Sequence, residues 1–160
     1  MLLKENAVAP NLTLPDQNEQ LHELASLYGP NGSVVYFYPK DNTPGCTLEA
    51  KDFQALSPEF EKLGIHVIGL SKDSTASHAK FANKHNLSFT LLSDSEGKAC
   101  EGFGVWQEKK NYGKVYMGIV RSTFLIDAKG VVLKTWTKVK TKEHAQKVLE
   151  EARNRVSGEG

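Results

Sequence analysis

The chain has 160 residues, a net charge of +1, 39% hydrophobic and 24% charged residues, the make-up of one water-facing globular domain with an ample core. The near balance of charge gives no electrostatic basis for nucleic acid or an acidic membrane surface as partner, and no apolar run approaches the roughly 18 residues that span a bilayer. Residues 1–6 lack the basic-then-apolar layout of a signal peptide, which makes the cytoplasm the expected location, and two cysteines, Cys46 and Cys100, make no disulfide scaffold.

In chain order, residues 9–14 and 19–24 each alternate apolar and polar positions across a Pro15-Asp16-Gln17-Asn18 turn, so an N-terminal β-hairpin is expected. One helical turn over residues 25–28 leads to a Gly29-Pro30-Asn31-Gly32 loop. Residues 33–38 then form an almost wholly apolar run rich in β-branched and aromatic residues, a buried strand. After the loop from Pro39 to Cys46, a helical pattern begins and carries Leu48, Phe53 and Leu56. Ser57-Pro58 interrupts it, and one kinked helix or two would both fit before Gly64.

Residues 65–71 are the next buried strand, residues 74–85 a helix ended by Asn86, and residues 89–92 another strand. A short helix over residues 96–103 is followed by a polar, lysine-bearing loop over residues 107–114. Residues 116–120 lead into a strand at 122–126, which the Asp127-Ala128-Lys129-Gly130 turn pairs with residues 131–136 as an antiparallel hairpin. Residues 141–155 form an amphipathic helix with Ala145, Val148, Leu149 and Ala152 on one face, and Ser157-Gly158-Glu159-Gly160 is expected to fray. This alternation describes an α/β chain, a single domain over residues 1–160, with a central mixed sheet flanked by helices.

The stretch Pro39-Lys40-Asp41-Asn42-Thr43-Pro44-Gly45-Cys46 concentrates the chemistry. It joins the carboxyl end of a central strand, where open α/β sheets place their sites, to the start of a helix. Unpaired N–H groups and the positive end of the helix dipole stabilise a thiolate in such a first turn. Most lone cysteines are core filler, but Pro44-Gly45 forces a turn directly before this one.

Other patterns give no site. Gly102-x-Gly104 is too short for a dinucleotide loop, no Cys-x-x-Cys exists, and the five histidines, 22, 66, 78, 85 and 144, show no ligand spacing with the cysteines. No cofactor or metal is expected. The lysine-bearing run over residues 134–142 reads as a solvated strand edge.

Pro39-x-x-x-Thr43-x-x-Cys46 resembles the active-site signature of the peroxiredoxins. The wider string from Tyr38 to Ala50, with Arg121-Ser122-Thr123-Phe124-Leu125-Ile126-Asp127, is similar to the bacterioferritin comigratory protein, or peroxiredoxin Q, branch, and the likeness runs over nearly the whole chain. The resemblance implies a thioredoxin-like fold and an antioxidant thiol peroxidase. It implies Cys46 as the nucleophile that becomes a sulfenic acid, and Thr43 and Arg121 as the groups that activate sulfur and peroxide. Pro39 would shield the thiolate. The substrates would be hydrogen peroxide and organic hydroperoxides, and thioredoxin or a related thiol the reductant of a monomer.

Glu49, three residues after Cys46, is either a capping-box acid or an ordinary favourable acid near a helix start. The resolving cysteine that many members carry five residues after the first is Lys51 here, and the helix at 77–85 has none. Cys100 could resolve after local unfolding or pair between chains. Alternatively an outside thiol reduces the sulfenic acid directly and Cys100 is core filler, the favoured route. Two other classes stay open: a sensor whose Cys46 oxidises without turnover, and a non-redox binding module.

Overall fold

The computed structural model describes residues 1–157. The chain opens with β1 (Thr13–Pro15) and β2 (Leu21–Glu23), an antiparallel pair followed by a 3-10 turn at Leu24–Leu27. This is the expected hairpin, shorter than its alternating pattern. Then follow β3 (Gly32–Phe37), α1 (Pro44–Lys62), β4 (Ile65–Ser71), α2 (Thr75–His85), β5 (Thr90–Ser93) and α3 (Lys98–Gly102). The chain continues as β6 (Trp106–Asn111), β7 (Lys114–Ile119), β8 (Ser122–Ile126), β9 (Val132–Thr137) and α4 (His144–Ser157). The fraying expected at Ser157-Gly158-Glu159-Gly160 falls, past Ser157, outside the described residues.

Five strands form the central sheet in the order β5-β4-β3-β8-β9. β3 pairs parallel with β4 and antiparallel with β8, so the sheet is mixed and β3 is its middle strand. Every residue of β3 is buried, as a strand covered on both faces requires. Its side chains alternate between two cores. Val34 and Tyr36, with Tyr38 just past the strand, face a core closed by α1, α2 and α4, while Val35 and Phe37 face one closed by α3 and the N-terminal segment.

Residues 44–62 make one helix with Pro58 inside it, which settles the choice between one helix and two. The polar segment at 107–114 is not a loop. It belongs to the antiparallel ribbon of β6 and β7, turned by Tyr112 (φ 50°) and Gly113 (φ 78°). Two consecutive positive φ values suit a tight hairpin turn. An isolated ribbon has little apolar surface to cover, so its sequence lacks the pattern of a buried strand.

Near the start of α4, His144 is buried between Phe53 and Trp136, and its Nε2 lies 2.8 Å from Thr123 Oγ1. Burial, with Lys147 and Arg121 adding to it, pushes the imidazole down to about 4. The folded protein therefore holds this ring neutral. Its contribution to stability is full above about pH 6.5 and is lost as pH falls toward 4, where the unfolded chain binds the extra proton. Urea unfolding at several pH values should show the parent gaining about 3 kcal/mol over His144→Gln between pH 4 and pH 7. A difference that does not change with pH rejects the buried neutral imidazole.

Candidate active site

The site is built where β3 hands over to α1. Pro44 takes the first helical position, where its missing N–H is no loss, and Thr43 is the N-cap. The Thr43 side chain makes no capping bond; its hydroxyl donates to the Lys40 carbonyl (2.9 Å) and tightens the loop. The N–H groups of Gly45 and Cys46 are therefore left without a side-chain cap in the first turn, beside the positive end of a long helix. Cys46 sits among them at 2% exposure.

The cation arrives from the other side of β3. Phe37 pairs with Ser122 in the antiparallel register, so Arg121 comes level with the end of β3 and the loop beyond it. Its Nη2 donates to Cys46 Sγ (3.2 Å) and its Nη1 to Glu49 Oε1 (2.7 Å). A Cβ at position 45 would lie 3.4 Å from Nη2, so Gly45 leaves the guanidinium its room. Burial opposes the charge of Arg121, but Glu49 and Cys46 outweigh it and raise its proton affinity. The group is a fixed cation with its donors split between a sulfur and a carboxylate, the planar fork that lysine cannot reproduce.

Glu49 is thus neither a cap nor a surface acid. Its side chain is fully buried, and Oε2 has no hydrogen-bond partner among the described residues. Burial raises the carboxyl to about 7, with Arg121 opposing the rise. An acid one helical turn after Cys46 shares its face of α1, and an acid buried there needs a cation. That spacing was the available signal for the Arg121 contact.

Lys109 is a group that the sequence left unmarked. It is half-buried on β6 and donates to the Ile119 carbonyl (2.9 Å). Burial lowers its proton affinity, Arg121 lowers it further and Cys46 raises it, so its ammonium stands within electrostatic reach of the site. Pro39 is exposed just past β3, where it ends the strand.

These elements and their order recur in known proteins. The AhpC/TSA family profile matches residues 6–135. Peroxiredoxin Bcp of Bacillus subtilis is 48% identical over 150 residues, covering 94% of this chain and 95% of that protein. Peroxiredoxin Bcp of Escherichia coli is 44% identical over 147 residues, covering 92% and 94%. The chain belongs to the AhpC/TSA family, in its peroxiredoxin Bcp branch. A solved structure of the Xanthomonas campestris bacterioferritin comigratory protein, studied for alkyl peroxide reduction, superposes with a TM-score of 0.85 at 43% identity, covering 91% of this chain and 92% of that one. The fold is the thioredoxin-like one of these peroxiredoxins, and the activity is that of a thiol-dependent peroxidase.

In this peroxiredoxin the two thiols are on opposite faces of the central sheet. Cys46 lines the core under α1, and Cys100, on α3 at 0% exposure, lines the other. Burial, reinforced by Asp94, pushes the Cys100 thiol far up. A neutral, sealed thiol is a poor nucleophile.

The Glu49 carboxyl gives a prediction opposite in sign to that at His144. Its raised proton affinity adds stability that is full below about pH 4.5 and is lost as pH rises through about 7. Relative to Glu49→Gln, the parent should lose about 3 kcal/mol of unfolding free energy between pH 4.5 and pH 8. A flat difference would show that this acid is ionised throughout.

Proposed function

We propose that Cys46 is the peroxidatic nucleophile of a one-cysteine cycle that reduces hydrogen peroxide and organic hydroperoxides. The Cys46 thiolate attacks the terminal oxygen of ROOH. An S–O bond forms, the O–O bond breaks, and the departing alkoxide takes a proton, leaving a sulfenic acid and ROH. Charge moves from sulfur to the leaving oxygen, so donors aimed at both ends lower the barrier. Arg121 Nη2, 3.2 Å from sulfur, supports this reading more than any other feature. The uncapped N–H groups of Gly45 and Cys46 supply further donors, and the Thr43 hydroxyl, its own proton given to Lys40, is left with lone pairs for an incoming peroxide O–H.

The sulfenic acid condenses with an outside thiol, releasing water and forming a mixed disulfide, and a second thiol then frees Cys46. Thioredoxin or a related thiol protein fills this role. The placement of Cys100 across the sheet favours this route over resolution within the chain. Cys46, Glu49 and Arg121 all come from one chain, as an enzyme acting as a monomer of one domain requires. The two cysteines sit in different cores, so the fold uses no structural disulfide between them, and a reducing compartment such as the cytoplasm fits that placement.

Three variants test this in a coupled assay with hydrogen peroxide and a thioredoxin system. Cys46→Ser should abolish peroxide consumption, Cys100→Ser should leave turnover unchanged, and Arg121→Lys should lower the peroxide rate constant by about a hundredfold. Intact mass after one equivalent of peroxide should show one added oxygen on Cys46. Loss of two hydrogens, the mark of a Cys46–Cys100 bridge, would refute the one-cysteine cycle.

A further inference from the structure

The loop between β3 and α1 holds a buried acid–histidine pair that the chemistry above leaves unused. Asp41, in the middle of the loop, is 6% exposed, and His78, on α2, is 0% exposed. His78 Nδ1 lies 2.7 Å from Asp41 Oδ2, and Nε2 lies 3.0 Å from the Leu92 carbonyl. A carbonyl only accepts, so Nε2 carries a hydrogen. Asp41 also accepts from the Tyr38 hydroxyl (2.5 Å) and the Ser77 hydroxyl (2.8 Å), the surroundings of an ionised acid. His78 thus donates from Nε2 to the Leu92 carbonyl and meets the Asp41 carboxyl through Nδ1, a hydrogen-bonded pair closed off from water. Burial opposes the charge on Asp41, but His78, Tyr38 and Ser77 outweigh it and hold the carboxyl below its usual range.

The backbone of the loop is held as well. Asp41 N–H donates to Asp73 Oδ2 (2.8 Å), which also accepts from Ser71 Oγ (2.7 Å). Asp41, Asp73 and His78 each bring a ligand-type atom within 4.8 Å of the others, as around a cation. Yet both ring nitrogens and both Asp41 oxygens are already engaged with protein groups. The cluster ties the loop to the ends of β3 and β4, to α2 and to β5.

The tie bears on the sulfur. Asp41 precedes the N-cap, Thr43, by two residues, so its position fixes where α1 starts and with it the 3.2 Å approach of Arg121 to Cys46. At 2% exposure Cys46 admits no protein thiol in this conformation, so reduction of its sulfenic acid needs the loop or the first turn to open. We propose that Asp41 and His78 are positioning residues that latch this loop: closed, the pair aims Cys46 at peroxide, and its release exposes the sulfenic acid to the outside thiol. The proposal rests on the reading of Cys46 as nucleophile.

The test measures two rates on the full chain. One is the reaction of reduced protein with hydrogen peroxide in a single turnover. The other is the labelling of the pre-oxidised protein at Cys46 by dimedone, a small sulfenic acid trap. His78→Asn and Asp41→Asn should each slow the first by about tenfold or more and speed the second by about tenfold. The double variant should do no more than either single one, because both break the same contact. Ser77→Ala, which removes one donor from Asp41 and is the milder change, should move both rates in the same directions and decides the matter if the others do not fold. Val132→Ala, a cavity in the opposite core, controls for lost stability and should move neither rate.

Unchanged rates in Ser77→Ala and His78→Asn overturn the latch. So do effects that multiply in the double variant, or rates that follow urea stability across the set with Val132→Ala included. A parent chain that gives no dimedone adduct at Cys46 would instead sink the nucleophile reading, and the latch with it, a failure told apart by appearing before any substitution.

Discussion

The arrangement depends on one guanidinium shared between two acceptors. Arg121 gives one nitrogen to Cys46 and the other to Glu49, inside a region almost closed to water. A lone cation buried there would be costly, and a lone thiolate or carboxylate equally so. Glu49 and Cys46 outweigh the cost of burying the guanidinium charge, and Arg121 in turn opposes the rise in the proton affinity of Glu49. The same fork fixes direction, because a planar group bound at both ends has little freedom to turn.

The fold delivers this group by register. Antiparallel pairing of β3 with β8 sets the residue just before β8 beside the end of β3, and the parallel pairing of β3 with β4 covers the other edge. A shift of one residue would turn every side chain of β8 to the opposite face. Leu125 and Phe124, packed in different cores, resist that slip. The hydrophobic pattern of β8 therefore also specifies where the cation stands.

Local signals were legible in the sequence, and contacts made by folding were not. The apolar run of β3, Pro44 at the helix start and Cys46 behind it are neighbours in the chain, and their meaning follows from short-range rules. Arg121 lies 75 positions from Cys46, and only family resemblance linked them. Glu49 was visible as an acid near a helix start, but its burial depends on Arg121, so neither reading of it was right. The β6–β7 ribbon read as a loop because an exposed two-stranded ribbon has polar residues on much of its surface. His78 read as one of several scattered histidines because Asp41, 37 positions away, becomes its partner only when α2 packs beside the loop.

The separation of the two thiols by the sheet has a consequence for survival under oxidant. A sulfenic acid with no second sulfur beside it has nowhere internal to discharge, and a further peroxide carries it to the sulfinic acid, beyond thiol repair. In the one-cysteine cycle proposed above, each catalytic round is then a race between reductant and a second oxidant molecule. Starved of reductant, the population would be inactivated in proportion to the peroxide it meets, leaving a lasting chemical record of the imbalance.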